Sequence, residues 1–386
     1  MAYNLKPTLA VPAVKTLSRS QYVNTFNLSN NSVNIPTNNN GLLPNDYFLY
    51  ALRLKIAFRV TNPASGGPTA VLADAPFSYI NEVRVSGTHR LRGTQEPFFT
   101  VRGSDLNELV REYTGRQPYF SILVNGAPAT ALSLAASATN DVEFILHCPF
   151  TPMQISPVQQ VGWLLDAPNY YNLKLEVITA DANSLFSGQT TQPVFTAYGS
   201  NSNSPTCDLT LEQSSTGSSV FGGFVPARLW RYYYENTSNV MTQNGNNARL
   251  ASIPTGQRIR NILLKTGVKA TGVTAGKDAY ASTSWGILTS INFNKGTNKV
   301  INAWIDQIDL LEQSASVYKL TPSVGYDLID FVHHGDQGGA LNLTTAINGP
   351  TGDVDTYLSA NVTGAANQAA LLLYEEMHDQ PMQLVG

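Results

Sequence analysis

"INFNKGTNKV", residues 291–300, alternates apolar and polar side chains, breaks at a Lys-Gly and resumes with a basic residue beside a valine. Period-two alternation on both sides of a glycine-containing break reads as a β-hairpin. A cousin, "VRVSGTHRL", stands at residues 83–91, about two hundred residues earlier. One chain writes nearly the same hairpin twice, and the flanking sequence decides what that means.

Alternation continues outward from both copies. "QYVNTFNL" (21–28), "ALRLKIAFRV" (51–60), "NEVRVSG" (81–87), "DVEFILH" (141–147) and "YNLKLEVITA" (171–180) read as strands in the first half. "RLWRYYYEN" (228–236), "RNILLKTGVKA" (260–270), "SINFNKG" (290–296) and "AALLLYEEM" (369–377) do so in the second. Short strands bounded by Asn, Gly or Pro throughout argue for an all-β sandwich or barrel. Two helices interrupt the pattern, each after its hairpin. In "GSDLNELVREYTG" Ser104 can cap, Leu106, Leu109, Val110 and Tyr113 form one face, and Gly115 supplies a left-handed stop. In "NAWIDQIDLLEQ" Asn302 can cap, with Trp304, Ile308 and Leu311 as the buried stripe.

The halves align in order. Tyr22 and Phe26 map onto Trp230 and Tyr234, Lys55 onto Lys265, Val83 onto Ile291, and Phe144-Ile145-Leu146 onto Leu371-Leu372-Leu373. Asn-rich loops follow the first strand in both halves. The shared succession of strand, Asn-rich loop, strand, Gly-Thr hairpin, helix and late apolar strand indicates an internal duplication. The expected divisions are an arm (1–20), a first unit (21–198), a linker with one possible short strand (199–223), and a second unit (224–386). The linker reading rests on the Ser- and Gly-rich stretch "GSNSNSPTCDLTLEQSSTGSSVFGG".

Composition narrows the function. The formal charge is −3 and the sequence pI about 6.0, so no global basic field holds nucleic acid, and no sequence-specific nucleic-acid partner is expected. Charged residues make up 13% of the chain, about half the usual share. Either neutral polar groups solvate the surface, or much of it is buried against partners, because interface cores are depleted of charge. Two cysteines, Cys148 and Cys207, make no disulfide framework and no zinc spacing. There is no apolar signal-peptide core and no run of about eighteen apolar residues, so a soluble product of a reducing cytoplasm is expected.

No catalytic, cofactor or metal constellation emerges. "HHGD" (333–336) pairs neighbouring histidines that face opposite ways on a strand, and the same alternation separates His147 from Cys148. "GVTAGKD" (272–278) is one residue short of a phosphate loop and carries Asp where Ser or Thr must reach magnesium. Glu375-Glu376 reads as a solvated strand end. In "RLWRYYYEN", alternation places Trp230, Tyr232 and Tyr234 on one face, as core or interface aromatics. The segment from Met1 to Pro44 holds Lys6, Lys15 and Arg19 and no acidic residue. Such an arm suits an anionic membrane face or the underside of neighbouring subunits.

Two units of about 180 residues, each of short strands with one helix at the same station, resemble the double jelly-roll major capsid proteins of tailless icosahedral phages and viruses, especially those with an internal membrane. The resemblance covers roughly residues 20–386 and rests on architecture, length and low charge. It implies two tandem eight-stranded jelly rolls, each with one short helix. It further implies a homotrimer, a pseudo-hexagonal tile of six rolls, contacts with neighbouring capsomers and minor capsid proteins, and a place in the virion shell. The arm departs from relatives that carry a helix there, because Pro7 and Pro12 interrupt it. A two-domain jelly-roll lectin or receptor-binding spike is the alternative, supported by the Asn- and Tyr-rich loops.

Overall fold

The computed structural model describes residues 19–28, 32–35, 42–45, 47–90, 93–151, 164–217, 229–240, 245–252, 258–269, 280–282, 288–295, 298–318, 321–330, 341–342, 356–362 and 368–379. The first half runs through β1 (Arg19–Asn27), β2 (Ser32–Ile35), β3 (Tyr47–Thr61), β4 (Ala70–Val71), β5 (Ile80–His89), β6 (Gln95–Val101) and helix α1 (Gly103–Thr114). It continues with β7 (Phe120–Val124), β8 (Ala127–Ala129), β9 (Thr139–Pro149), β10 (Tyr170–Thr179), β11 (Phe186–Ser187), β12 (Val194–Thr196) and β13 (Thr206–Gly217). The second half holds β14 (Leu229–Val240), β15 (Gly245–Ser252), β16 (Arg258–Lys269), β17 (Tyr280–Ser282), β18 (Leu288–Lys295), β19 (Asn298–Asp306) and α2 (Gln307–Tyr318). It ends with β20 (Tyr326–Asp330), β21 (Leu341–Asn342), β22 (Thr356–Val362) and β23 (Gln368–Asp379).

The strand order proves the duplication. One sheet of the first half runs β1-β13-β3-β9, extended by β7 and β8, and the other runs β2-β10-β5-β6. In the second half β14-β23-β16 continues to β20, and a separate sheet runs β15-β22-β18-β19. Position by position these are the same two four-stranded orders, with a helix after the fourth strand of the second sheet in both. Each half is an eight-stranded roll. Short ribbons such as β4 with β11 are additions to it.

Alternation drives each sheet onto its partner. Along β3, Leu52, Leu54, Ile56 and Phe58 are fully buried while Arg53, Lys55, Ala57 and Arg59 face outward. They pack in one cluster with Val142, Phe144 and Leu146 of β9 and with Val83, Val85 and Phe99 of the opposing sheet. Burying each such side chain contributes about 1.5–3 kcal/mol before chain entropy is subtracted.

Several sequence expectations are corrected by this topology. The stretch read as a linker supplies β13, seated between β1 and β3, because Cys207, Leu209 and Leu211 alternate inward beneath their Ser- and Thr-rich flanks. The late apolar strand β23 therefore corresponds to β13, and the counterpart of β9 is β20. The Gly-Thr of the first hairpin lies inside β5, where a Cβ on Gly87 would stand 3.0 Å from Tyr170. The turn comes after His89, whose amide reaches the Thr94 carbonyl. In the second copy β18 and β19 are paired as far as Lys295 opposite Asn298. Arg19 and Ser20 belong to β1, opposite Gln213 and Glu212, and not to the arm.

The helices also shift. α1 starts at Gly103 with Arg102 as its cap residue, so Ser104 lies in the first turn; Gly115 does end it in the left-handed region. Gly103 is required because a Cβ there would stand 2.7 Å from the Phe77 carbonyl oxygen. Asn302 and Trp304 lie in β19, held by pairing with β18, and α2 begins only at Gln307. Among its described side chains Leu310 is buried, while Ile308 is half exposed and Leu311 partly so.

Candidate functional site

The two rolls meet edge to edge. β6 pairs in parallel with β14 through Phe99 with Tyr233 and Thr100 with Tyr234, so one ten-stranded sheet passes from roll to roll. Beside that seam, α1 of the first roll lies on the outward face of β16, β20 and β23. Leu263, Tyr326, Leu328 and Leu373 join the core cluster of the first roll, which makes the contact apolar at its heart.

A charge network sits within it. Lys265 of β16 is 1% exposed and its Nζ reaches Asp74 Oδ2 at 2.7 Å and Asp105 Oδ1 at 2.9 Å. The Tyr326 hydroxyl donates to Asp105 Oδ1 at 2.6 Å, and its ring lies 5.1 Å from the ammonium. Burial pulls the Lys265 pKa down, but the two carboxylates outweigh it and hold the group above its ordinary value. Burial first, then Asp105, pushes the Tyr326 phenol well up. Lys265 is thus an ammonium between two carboxylates of the other roll.

Glu108, one turn on, accepts from the Ser323 amide at 2.6 Å and the Ser323 hydroxyl at 2.7 Å, and pairs with Arg111 at 2.8 Å. Arg111 also donates to the Thr321 carbonyl. Glu375, expected to be solvated, is fully buried and accepts from the Tyr113 hydroxyl at 2.9 Å and from the Asn261 amide. Glu112 is fully buried, and its carboxyl oxygens have no hydrogen-bond partner among the described residues. Burial, then the neighbouring Glu108, pushes its pKa up to about 9.

On the first roll the matching face is exposed at Arg53 and Lys55 and covered at Arg59 and Asp141 by the turn that holds Gly199 and Asn201. There Lys55 pairs with Glu143 at 2.8 Å, Arg59 with Asp141 at 2.8 Å, and Arg53 with Glu212 at 3.5 Å. His147 faces the same side, 3.4 Å from Glu212, while Cys148 points inward and burial pushes its thiol up. Sequence alternation foresaw that separation. It did not foresee the partners of Lys265, although Lys265 was aligned with Lys55.

Of the singled-out residues, Trp230, Tyr232 and Tyr234 lie on β14 at the seam, opposite His378, Glu376 and Tyr374; their side chains lie outside the described residues. So do Lys6 and Lys15, the side chain of Arg19, and the segments 272–278 and 333–336.

Comparison of the whole chain with solved structures matches this two-roll plan. The STIV (Sulfolobus Turreted Icosahedral Virus) major capsid protein superposes with a TM-score of 0.62 at 17% identity, over 95% of this chain and 98% of that one. The chain has the double jelly-roll fold. The major capsid protein P2 of bacteriophage PM2 aligns at a TM-score of 0.50 and 15% identity, covering 95% and 99%. A chain of the PBCV-1 virus capsid aligns at 0.50 and 11%, covering 93% and 92%. No protein-family model and no curated protein matches the sequence.

Two outcomes follow for this double jelly roll. Lys265→Ala should destabilise the chain by roughly 3–5 kcal/mol, because it strands two buried carboxylates; denaturant unfolding measures it. Glu112 binds its proton more tightly folded than unfolded, so its contribution is full below pH 4.5 and is lost as pH rises through about 9. Glu112→Gln should therefore flatten the decline of melting temperature across that window, read by calorimetry at stepped pH.

Proposed function

We propose that the chain is a viral major capsid protein that acts by assembly and not by chemistry. The observation that carries this reading is the full-length match: two fused rolls account for 95% of this chain and 98% of the STIV capsid protein. In this reading the chain forms a homotrimer whose six rolls make a pseudo-hexagonal tile of an icosahedral virion shell. Its partners are neighbouring capsomers and minor capsid proteins, and it is made in the host cytoplasm. Fused rolls suit that task, since three copies give six similar lateral faces and threefold symmetry approximates a sixfold tile. The scarcity of charge fits extensive lateral burial. The position of Trp230, Tyr232 and Tyr234 beside the seam supports their role as core or interface aromatics.

A glycan-binding reading finds less support. The cleft of about 280 Å³ between Val71, Phe77, Phe120, Ile122 and Leu132 is lined mainly by apolar side chains, with Gln117 as its one amide. Sugar sites need more convergent polar groups than that.

Light scattering of the purified chain should give about three times 41.8 kDa. A stable monomer at every concentration, with no particles formed on co-expression with the shell's other components, would contradict the capsid reading.

The basic arm serves the inner side of the shell in this proposal, through Lys6 and Lys15 against an anionic membrane. Each contributes about 1 kcal/mol, so attachment is weak per copy and multiplied by avidity. Because β1 begins at Arg19, the deletion that spares the fold is residues 2–17. It should leave the trimer's melting temperature unchanged and abolish salt-sensitive sedimentation with phosphatidylserine vesicles. Loss of the trimer instead would make the arm a strap between subunits.

A further inference from the structure

Strand register brings both repeated hairpins to one end of the molecule. β1 begins there at Arg19, opposite Gln213 of β13, and the turn that joins β5 to β6 closes there, its His89 amide on the Thr94 carbonyl. The bridge between Leu49 and Leu165 ties the ends of the two sheets together. Because β6 and β14 run parallel, β14 also begins at this end, with Leu229 opposite Asp379. The chain passes from β15 to β16 here too, since Arg258 lies opposite Met377 and Ser252 opposite Tyr357. Thr356, the neighbour of Tyr357, faces Lys295, where β18 joins β19.

Charge is distributed by end. At this end of the first roll Arg90 and Lys174 are exposed and have no ion-pair partner among the described residues. Arg53, Lys55, Arg59 and Arg84, by contrast, are each held by a carboxylate. The described acids nearby are withdrawn from solvent. Glu96 is buried and accepts from the Tyr170 hydroxyl at 2.8 Å; Asp166 is buried and accepts from the Asn169 amide at 2.5 Å. Tyr171, 41% exposed, lies just before Lys174 on β10 and opposite Thr88, close to Arg90. The second hairpin repeats the sign with Lys295 and Lys299, while Asp379 is the acid that the register puts at that roll's end. The opposite end differs: its long loops, 62–73 and 182–205, hold no charged residue.

We infer that this end is a contact surface for anionic phospholipid headgroups, in which Arg90 and Lys174 meet lipid phosphates and Tyr171 settles among the headgroups. Lys295 and Lys299 are the second roll's share. The surface is separate from the arm: Lys6 and Lys15 tether each copy, and the folded end sets which way the copy stands on the bilayer. Tyrosine favours the membrane–water boundary, and Lys or Arg beside an anionic leaflet is attracted to it within a Debye length. Isolated cations on an end face, one closing turn per roll, suit a flat bilayer better than a nucleic-acid strand, which is held by a continuous basic groove. The inference rests on the capsid reading only for where the membrane lies; the contact itself is a property of the single chain.

Sedimentation of the full chain with phosphatidylcholine vesicles that contain or lack phosphatidylserine tests it. Arg90→Gln with Lys174→Gln should weaken binding to the anionic vesicles at least about tenfold at an unchanged melting temperature. Arg116→Gln, which removes an exposed cation from the loop after α1, should leave binding as it was. Equal losses in the two variants, or none in the first, overturn the inference and leave the arm's role standing. A second measurement reads the face itself. Tyr171→Cys carrying a polarity-sensitive dye should shift to the blue on anionic vesicles and not on neutral ones, with Cys148 and Cys207 unlabelled because both are buried. If the chain sediments while the dye stays in water, the arm alone touches the membrane. If the dye responds to duplex DNA and not to vesicles, the ligand is a nucleic acid. Either result overturns the surface inferred. A wild-type chain that does not sediment overturns both membrane contacts and leaves the capsid reading to the mass of the trimer.

Discussion

The ammonium of Lys265 is held in the interior between Asp74 and Asp105, and the arrangement of the two rolls depends on keeping it there. Desolvating one cation and two carboxylates costs several kcal/mol per ion, so the trio adds little net stability over an apolar contact of the same size. What it adds is discrimination. Any sliding of α1 over β16 exposes the apolar surface of Leu263 and Leu373 and leaves a buried charge uncompensated. Continuous pairing of β6 with β14 constrains the same junction from the side. The rolls therefore have one relative orientation.

Much of the fold was legible because alternation survives wherever one sheet face is buried and the other is not. β3 and β9 read directly, since Arg53, Lys55 and Arg59 interleave with Leu52, Leu54, Ile56 and Phe58. β16 read as a strand too, but its meaning was hidden: Leu263 and Lys265 lie on its outward face, yet a neighbouring roll buries them. Burial imposed by another roll leaves no periodic trace in the buried strand. β13 was obscured for a different reason, as its inward Cys207, Leu209 and Leu211 are spaced by Asp208 and Thr210 within a Ser-rich run that resembles a linker. The error propagated, because with β13 unassigned the last apolar strand was aligned with β9.

The junction itself left one readable sign. Asp-Leu-x-Glu occurs in both helices at equal distance from their starts, and helix alignment by the expected caps at Ser104 and Asn302 concealed it. Those caps failed because β19 extends to Asp306 through its pairing with β18, and because the close approach of Gly103 to Phe77 sets the start of α1 two residues early. One D-x-x-E face is buried within the chain, while in the other Asp309 is partly buried and Glu312 exposed.

The central claim is that the buried trio of Lys265, Asp74 and Asp105 holds the two rolls in one relative orientation. Amide hydrogen exchange of Lys265→Met, read on α1 and along the β6–β14 seam, tests it most directly. The account predicts loss of protection at α1 and the seam while β3 and β9 keep theirs. Unchanged protection at the seam, or an equal loss throughout both rolls, would contradict it.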